Sequence, residues 1–507
     1  MRTFKGGAVA SMLALFVPAA GLMLYIYMFG VNVVYADEWD FVPFLKMAIE
    51  GTLSWGDLLA QHNEHRLFFP RIVMITLAKS TQYNIIAEMV FGWFMILATS
   101  LLIFRMSWIR FSSDGSGGFA LIFLPASLLL FSYRQFEAVL FGFPSVQFYL
   151  MIFGVVSSFC LLEYRRRRSI GFALSTLAAF VASFSSLQGL LVWPTGLVQI
   201  LVSDSKRRSL VWGCAGVLVI ATYLHGWVKP SQTPSLGYVL SDPLLASSFF
   251  FALLGAPFSF ELYTALPFGA LVFLIAVVVF WRNHHGTFLR RNGIWLSLIL
   301  FSTLSCFAVT AGRSGFGPME GLSSRYTPVT IMGIIGLYFL SVDASRGFRA
   351  KRKKLVARVL LIIILVGWII SCGGGWMAGQ IIKCRFETSA YVLKTYQSQP
   401  DENIRSWLYP VNTPSIRERA AFLEENRLNV FSQSATNVPT TNSTDCQTLF
   451  SLYESYKELA SGKLSIAIFT AELARSPGIS LIMVVSAIAV AVAVLIVYGA
   501  GALRDLS

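Results

Sequence analysis

Apolar stretches alternate with short polar loops along the whole chain. Read as helices, they predict spans near 8–30, 84–104, 117–133, 145–162, 170–185, 189–203, 209–227, 263–281, 293–311, 326–342, 355–372 and 478–500. At 1.5 Å of rise per residue, most of these runs approach the ~30 Å thickness of a hydrocarbon core. The pattern predicts an all-α polytopic membrane protein, a bundle of about 12 transmembrane helices. The opening "MRTFKGGAVASMLALFVPAAGLMLYIYMFGV" has the basic start of a signal peptide. Its apolar stretch is too long for one, and no small-residue cleavage site ends it, so it reads as a retained first span.

Three segments break the rhythm. Residues 31–83 carry amphipathic patches ("FVPFLKMAIEG", "WGDLLAQ", "LFFPRIVMITLAKS") that read as helices lying along the membrane interface. A similar patch, "LLASSFFFALLGAPFSF" at 244–260, precedes the eighth span. Residues 373–477 have ordinary charge density and amphipathic stretches such as "SIRERAAFLEENRL", which predict a small, mostly helical domain. The organisation expected is a transmembrane module over 1–372, this domain over 373–477, and a last helix with its tail over 478–507.

Composition sharpens the topology. Only 13% of the 507 residues are charged, against about 25% in ordinary globular proteins. The net charge of +14 could suggest nucleic acid, but the basic groups cluster in alternate loops: Arg105 and Arg110, "RRRR" at 165–168, "KRR" at 206–208, Arg282, Arg290 and Arg291, and "RGFRAKRKK" at 346–354. Excess Lys and Arg in short loops marks the cytoplasmic side. The basicity is therefore topology and not a nucleic-acid footprint. Both termini are expected in the cytoplasm, with 31–83 and 373–477 outside, in the periplasm of a bacterial inner membrane. Of six cysteines, Cys384 and Cys446 fall in the outside segment, where a disulfide can persist, and a bridge between them is expected.

The chemistry-bearing residues gather on the outer side. "YADEWDFVPF" places Asp37, Glu38 and Asp40 directly after the first span. Charges beside a membrane usually face a cavity or one another. Three acids in four positions point to a site where one acts as base and another orients a partner. "QHNEHRLFFPR" adds His62, Glu64, His65, Arg66 and Arg71. On a helix His62, His65 and Arg66 would share a face. They read either as metal ligands with the acids or as a polar rim around the acidic loop. Arg66 and Arg71 are candidates for bidentate phosphate binding. Later outer turns contribute Arg134, then Gln188 in "SFSSLQGLLVWP", and "GRSGFGPMEGLSSRYTP" with Arg313, Arg325 and Tyr326. Flexible backbone, helix-start amides and two arginines make that last turn a candidate anion site, against the alternative of a Gly-rich turn with arginines reaching to headgroups.

The layout resembles the GT-C superfamily of integral-membrane glycosyltransferases: a long first span ending in "YADE", an amphipathic loop, and "HNEHRLFFPR". The resemblance implies a polyprenyl-phosphate sugar donor and a GT-C-like bundle with interface helices in the first loop. It matches Asp37 to the family's catalytic acid and Glu38 to its acidic neighbour. Some members need a divalent metal such as Mg or Mn, and others none. The expected reaction is an inverting displacement on a surface glycan, lipid or protein acceptor, with Asp37 as general base. Two alternatives remain open, a polysaccharide polymerase using lipid-diphosphate oligosaccharides and a lipid-linked sugar flippase.

Overall fold

The computed structural model describes residues 2–112, 116–164, 169–202, 206–231, 233–346, 351–409 and 413–432. Helix α1 (Arg2–Phe29) is followed by a single 3-10 turn over Ala36–Asp40 that carries the three acids. The rest of the first loop holds α2 (Val42–Glu50), α3 (Trp55–Leu59), a two-residue hairpin of β1 (Gln61–His62) and β2 (His65–Arg66), and α4 (Phe68–Thr81). Helix α2 stops where Gly51 turns left-handed, at φ 74°. Helix α3 starts on a capping box made by Ser54 and Asp57.

The hairpin corrects the helix expected at "HNEHR". His62 pairs directly with His65, and Asn63 at the turn adopts φ 48°. Asparagine tolerates that conformation far better than a branched residue. The two histidines therefore face each other across a ladder and do not stack along one helical face.

The helices that follow are α5 (Ile85–Phe111), α6 (Ser116–Leu130), α7 (Phe136–Leu140), α8 (Gly142–Tyr164), α9 (Ser169–Ser183), α10 (Val192–Val202) and α11 (Lys206–Leu224). Then come α12 (Tyr238–Ser241), α13 (Pro243–Gly255), α14 (Leu262–Asn283), α15 (Gly286–Arg291), α16 (Gly293–Arg313), α17 (Thr327–Arg346) and α18 (Lys351–Lys394). Two short helices, α19 (Asp401–Trp407) and α20 (Thr413–Glu425), end the described chain.

Among the described residues, eight helices are long and apolar enough to cross a membrane: Val9–Phe29, Ile85–Phe111, Gly118–Leu140, Gly142–Glu163, Leu262–Asn283, Gly293–Phe316, Ser324–Arg346 and Val356–Lys394. This is an all-α membrane protein. The spans expected at 170–185 and 189–203 are instead the shorter helices α9 and α10. Within the described residues the apolar helical stretches there are Ser169–Ser183 and Leu187–Val202, both shorter than the roughly 20 residues a crossing helix needs. The 209–227 span is α11, which begins on the charged Lys206–Arg208, and the 478–500 span lies outside the described residues. The domain boundary expected at 372 falls inside α18, which continues unbroken for 44 residues.

One large core joins the bundle. Helix α8 lies at its centre, packed on α5, α9 and α10, while α17 is flanked by α16 and α18 and α1 packs on α6. The core extends past the bundle into α19 and α20 through Ile404, Leu408, Ile416, Ala420 and Leu423. The segment that carries α19 and α20 is thus continuous with the core of the helix bundle. Cys384 is disulfide-bonded, whereas Cys160, Cys214, Cys306 and Cys372 are free. Its expected partner, Cys446, lies outside the described residues, as does the sequon at 442–444.

Candidate active site

The three loop acids share one turn but meet three different environments. Glu38 is buried, at 3% exposure. One carboxylate oxygen accepts the backbone N–H of Phe143 in the first turn of α8, and the other accepts the Tyr83 hydroxyl at 3.3 Å. Burial pushes its carboxyl up to about 7, against the pull of those donors. Glu38 also meets the buried carboxyl of Glu88. Gly142 permits this approach, because a Cβ there would stand 2.6 Å from Glu88 Oε2 and 2.8 Å from Glu38 Oε1.

Asp40 turns the other way. Its Oδ2 accepts the Tyr409 hydroxyl at 3.0 Å, and its Oδ1 accepts Arg419 Nη1 at 3.2 Å. Asp37 makes no side-chain hydrogen bond to any described residue. It sits one position after Ala36, whose φ of 51° is uncommon for a residue with a Cβ. Asp37, Asp40 and His62 bring one ligand atom each to within 4.8 Å of one another. Two carboxylates and an imidazole form a donor set that suits Mn better than Mg. The structure thus brings Asp37 and Asp40 together with His62, which lies 25 and 22 residues further along the sequence.

A second polar row continues from the hairpin. His62 is driven below its ordinary pKa by burial, partly offset by Asp37 and Asp40. His65 is pushed down to about 4, again by burial, and its Nδ1 accepts the Leu187 N–H at 3.2 Å. Glu64 forms an ion pair with Arg313. Burial opposes ionisation of Glu64, but His65 and Arg313 outweigh it and hold the carboxyl below its usual range. Arg325 pairs with Glu320 at 2.5 Å, and its backbone N–H donates to Glu137 at 3.1 Å. Glu137 also accepts the hydroxyls of Ser323 and Ser324, so it organises the turn that carries Arg325. Tyr326, nearly buried, lies beneath the Arg325 guanidinium at 5.5 Å. Gln188 follows Leu187 in the tight turn between α9 and α10, with its Oε1 buried and unpaired among the described residues. Arg313, Arg325 and Glu64 all act electrostatically on His65 or Tyr326, so the row is one charged neighbourhood.

The remaining arginines are clasps. Arg66 donates to the carbonyls of Tyr223, Leu59 and His225 at 2.6–2.9 Å. Arg71, at 3% exposure, donates to the carbonyls of Asp57, Leu58 and Ala60 at the end of α3 and lies 4.1 Å from the Phe44 ring. Arg134, at 2% exposure, reaches the carbonyls of Ser259 and Leu322 and stacks on Phe260. Their guanidinium groups satisfy backbone oxygens at helix ends and turns. Tyr409, Arg419 and Asn429 joined the neighbourhood of the acids unannounced. They lie more than 340 residues from the first-loop residues they contact, and no local pattern marks them.

No protein-family model matches this chain, and no solved structure does. A relative from Archaeoglobus fulgidus, described as an uncharacterized protein, is 27% identical over 245 residues, covering 42% of this chain and 61% of the relative. This chain therefore spans less than two thirds of the length of the relative it matches.

Proposed function

We propose that the protein is a membrane glycosyltransferase that moves a sugar from a polyprenyl-phosphate donor to a glycan, lipid or protein acceptor on the outer face of a bacterial inner membrane. The observation that carries this reading is the state of Asp37. Of the three acids, Glu38 is spent on α8 and Asp40 on Tyr409 and Arg419, and Asp37 alone keeps a carboxylate without a hydrogen-bond partner among the described residues. A general base needs this freedom, since it must accept a proton from a substrate hydroxyl. The acceptor oxygen bonds to the anomeric carbon as the bond to the lipid phosphate breaks, and the proton ends on Asp37. One displacement inverts that centre. Arg313 and Arg325, pre-aligned by Glu64 and Glu320, suit the charge developing on the departing phosphate. If a divalent cation is used, Asp37, Asp40 and His62 would hold it, and it would supply Lewis-acid polarisation of the phosphate.

The test is transfer from synthetic polyprenyl-phosphate sugars by purified protein. Asp37→Asn should remain folded and lose roughly 10²–10⁴-fold of the rate, the usual contribution of a general base. Near-normal transfer by that variant removes the base assignment. Activity only with lipid-diphosphate oligosaccharides would instead identify a polymerase.

A further inference from the structure

The turn that carries Asp37 is held from outside by the C-terminal segment. Arg419 Nη1 bridges two groups of the turn, the Trp39 carbonyl at 2.7 Å and Asp40 Oδ1 at 3.2 Å. Tyr409 takes the other oxygen of Asp40. The Ala36 N–H donates to the Leu408 carbonyl at 3.3 Å, at the residue whose backbone is left-handed. Tyr35 lies 4.8 Å from the Phe386 ring. Asn429, fully buried, ties both flanks of the loop together. Its Nδ2 donates to Asn32 Oδ1 at 2.8 Å and to the Tyr83 carbonyl at 3.0 Å. Its Oδ1 accepts the Val34 N–H at 3.2 Å, and its own N–H donates to the Gln82 carbonyl at 2.8 Å.

A one-turn 3-10 helix with a left-handed alanine at its start does not hold one conformation by itself. Its geometry is over-determined by contacts from residues 385–429. We infer that Arg419 is a positioning residue for the acid turn, acting through Asp40 and the Trp39 carbonyl to set where Asp37 stands. Tyr409 shares the work at the second oxygen. The C-terminal outer segment is then a working part of the site and not an appended domain. Its catalytic consequence rests on the glycosyl-transfer reading; the positioning itself does not.

Two measurements on the full-length protein in detergent separate these. In hydrogen exchange, Arg419→Gln should speed exchange across residues 35–41, and Asp40→Asn should do the same. The double variant should fall short of the sum of the two single effects, because both remove the Arg419–Asp40 contact. In transfer assays, Arg419→Gln should lower kcat roughly 10–100-fold, the scale of a misplaced catalytic group, with the donor KM nearly unchanged. Arg419→Lys, which keeps the charge but loses the fork, should recover part of it. Tyr409→Phe serves as the second, milder variant. Unchanged exchange at 35–41 in both Arg419→Gln and Tyr409→Phe overturns the positioning role. So does an Arg419→Gln effect that adds in full to Asp40→Asn. Wild-type protein without transfer activity would overturn the reaction, and the exchange data would still decide the positioning.

Discussion

Arginine illustrates what residue type does and does not reveal. Its planar fork fits a phosphate, and it fits a row of orphan carbonyls equally well. Arg66, Arg71 and Arg134 were legible as important but not as clasps, because their partners are backbone oxygens that every sequence contains. Arg71→Ala should leave three carbonyls at the end of α3 without a donor and cost about 2–4 kcal/mol. The check is a thermal melt beside donor KM measured on the folded fraction: stability should fall while KM holds. A large rise in KM at unchanged stability would return Arg71 to substrate binding. His65 offers a test by pH. Its folded pKa of about 4 lies below the ordinary value near 6.5. The unfolded chain therefore binds a proton that the folded chain refuses, and stability present above pH 6.5 drains as pH falls towards 4. That loss should be on the order of 1–2 kcal/mol between pH 7 and 4.5. His65→Asn, which keeps an acceptor for the Leu187 N–H, should flatten the slope of melting temperature over this window.

Elements were legible where their periodicity was long. The runs at 84–104, 145–162, 263–281, 293–311 and 326–342 each correspond to one long apolar helix. The pattern failed where a run was short or its polar residues local. Helices α9 and α10 break at "SFSSLQG", where Gly189 lies so close to Ala182 that an added Cβ would stand 1.9 Å from its carbonyl oxygen. "HNEHR" turned out to be a hairpin because a left-handed Asn63 cannot be seen in a spacing argument. Gly142 shows the same limit at the site. In sequence it is one glycine in "FGFP"; in the fold it lets Glu38 and Glu88 approach the start of α8. Gly142→Ala should destabilise the protein by about 1–3 kcal/mol through overpacking and loosen the acid turn. Thermal melts together with exchange at residues 35–41 read both effects. An alanine variant as stable and as protected as wild type would show that the carboxyl pair has room to move.

At the scale of the molecule, two polar ends are separated by apolar helices. One end holds Asp37, Glu38, Glu64 and Arg313. The other holds Asp343, 1% exposed, which receives Arg110, Arg291 and Asn292, while Arg346 reaches the carbonyls of Arg110 and Phe111. Helices α5, α16 and α17 each run from one end to the other. Their 27, 21 and 20 residues correspond to about 30–40 Å, the thickness of a membrane. The charge asymmetry along the chain made these ends legible, but the long-range clamps on the acid turn were not, since contacts across more than 350 residues leave no local trace. The asymmetry also assigns sides: basic loops belong in the cytoplasm, so the Asp343 end should face inward and the acids outward. Exposed positions at each end test this in a Cys214→Ser background, which removes the one exposed free thiol among the described residues. In intact cells, Thr52→Cys should react with a membrane-impermeant maleimide, and Thr287→Cys should react only after permeabilisation. Labelling of Thr287→Cys with protection of Thr52→Cys would invert the protein. The acids would then face the cytoplasm, and a donor presented at the outer surface would be excluded whatever Asp37 does.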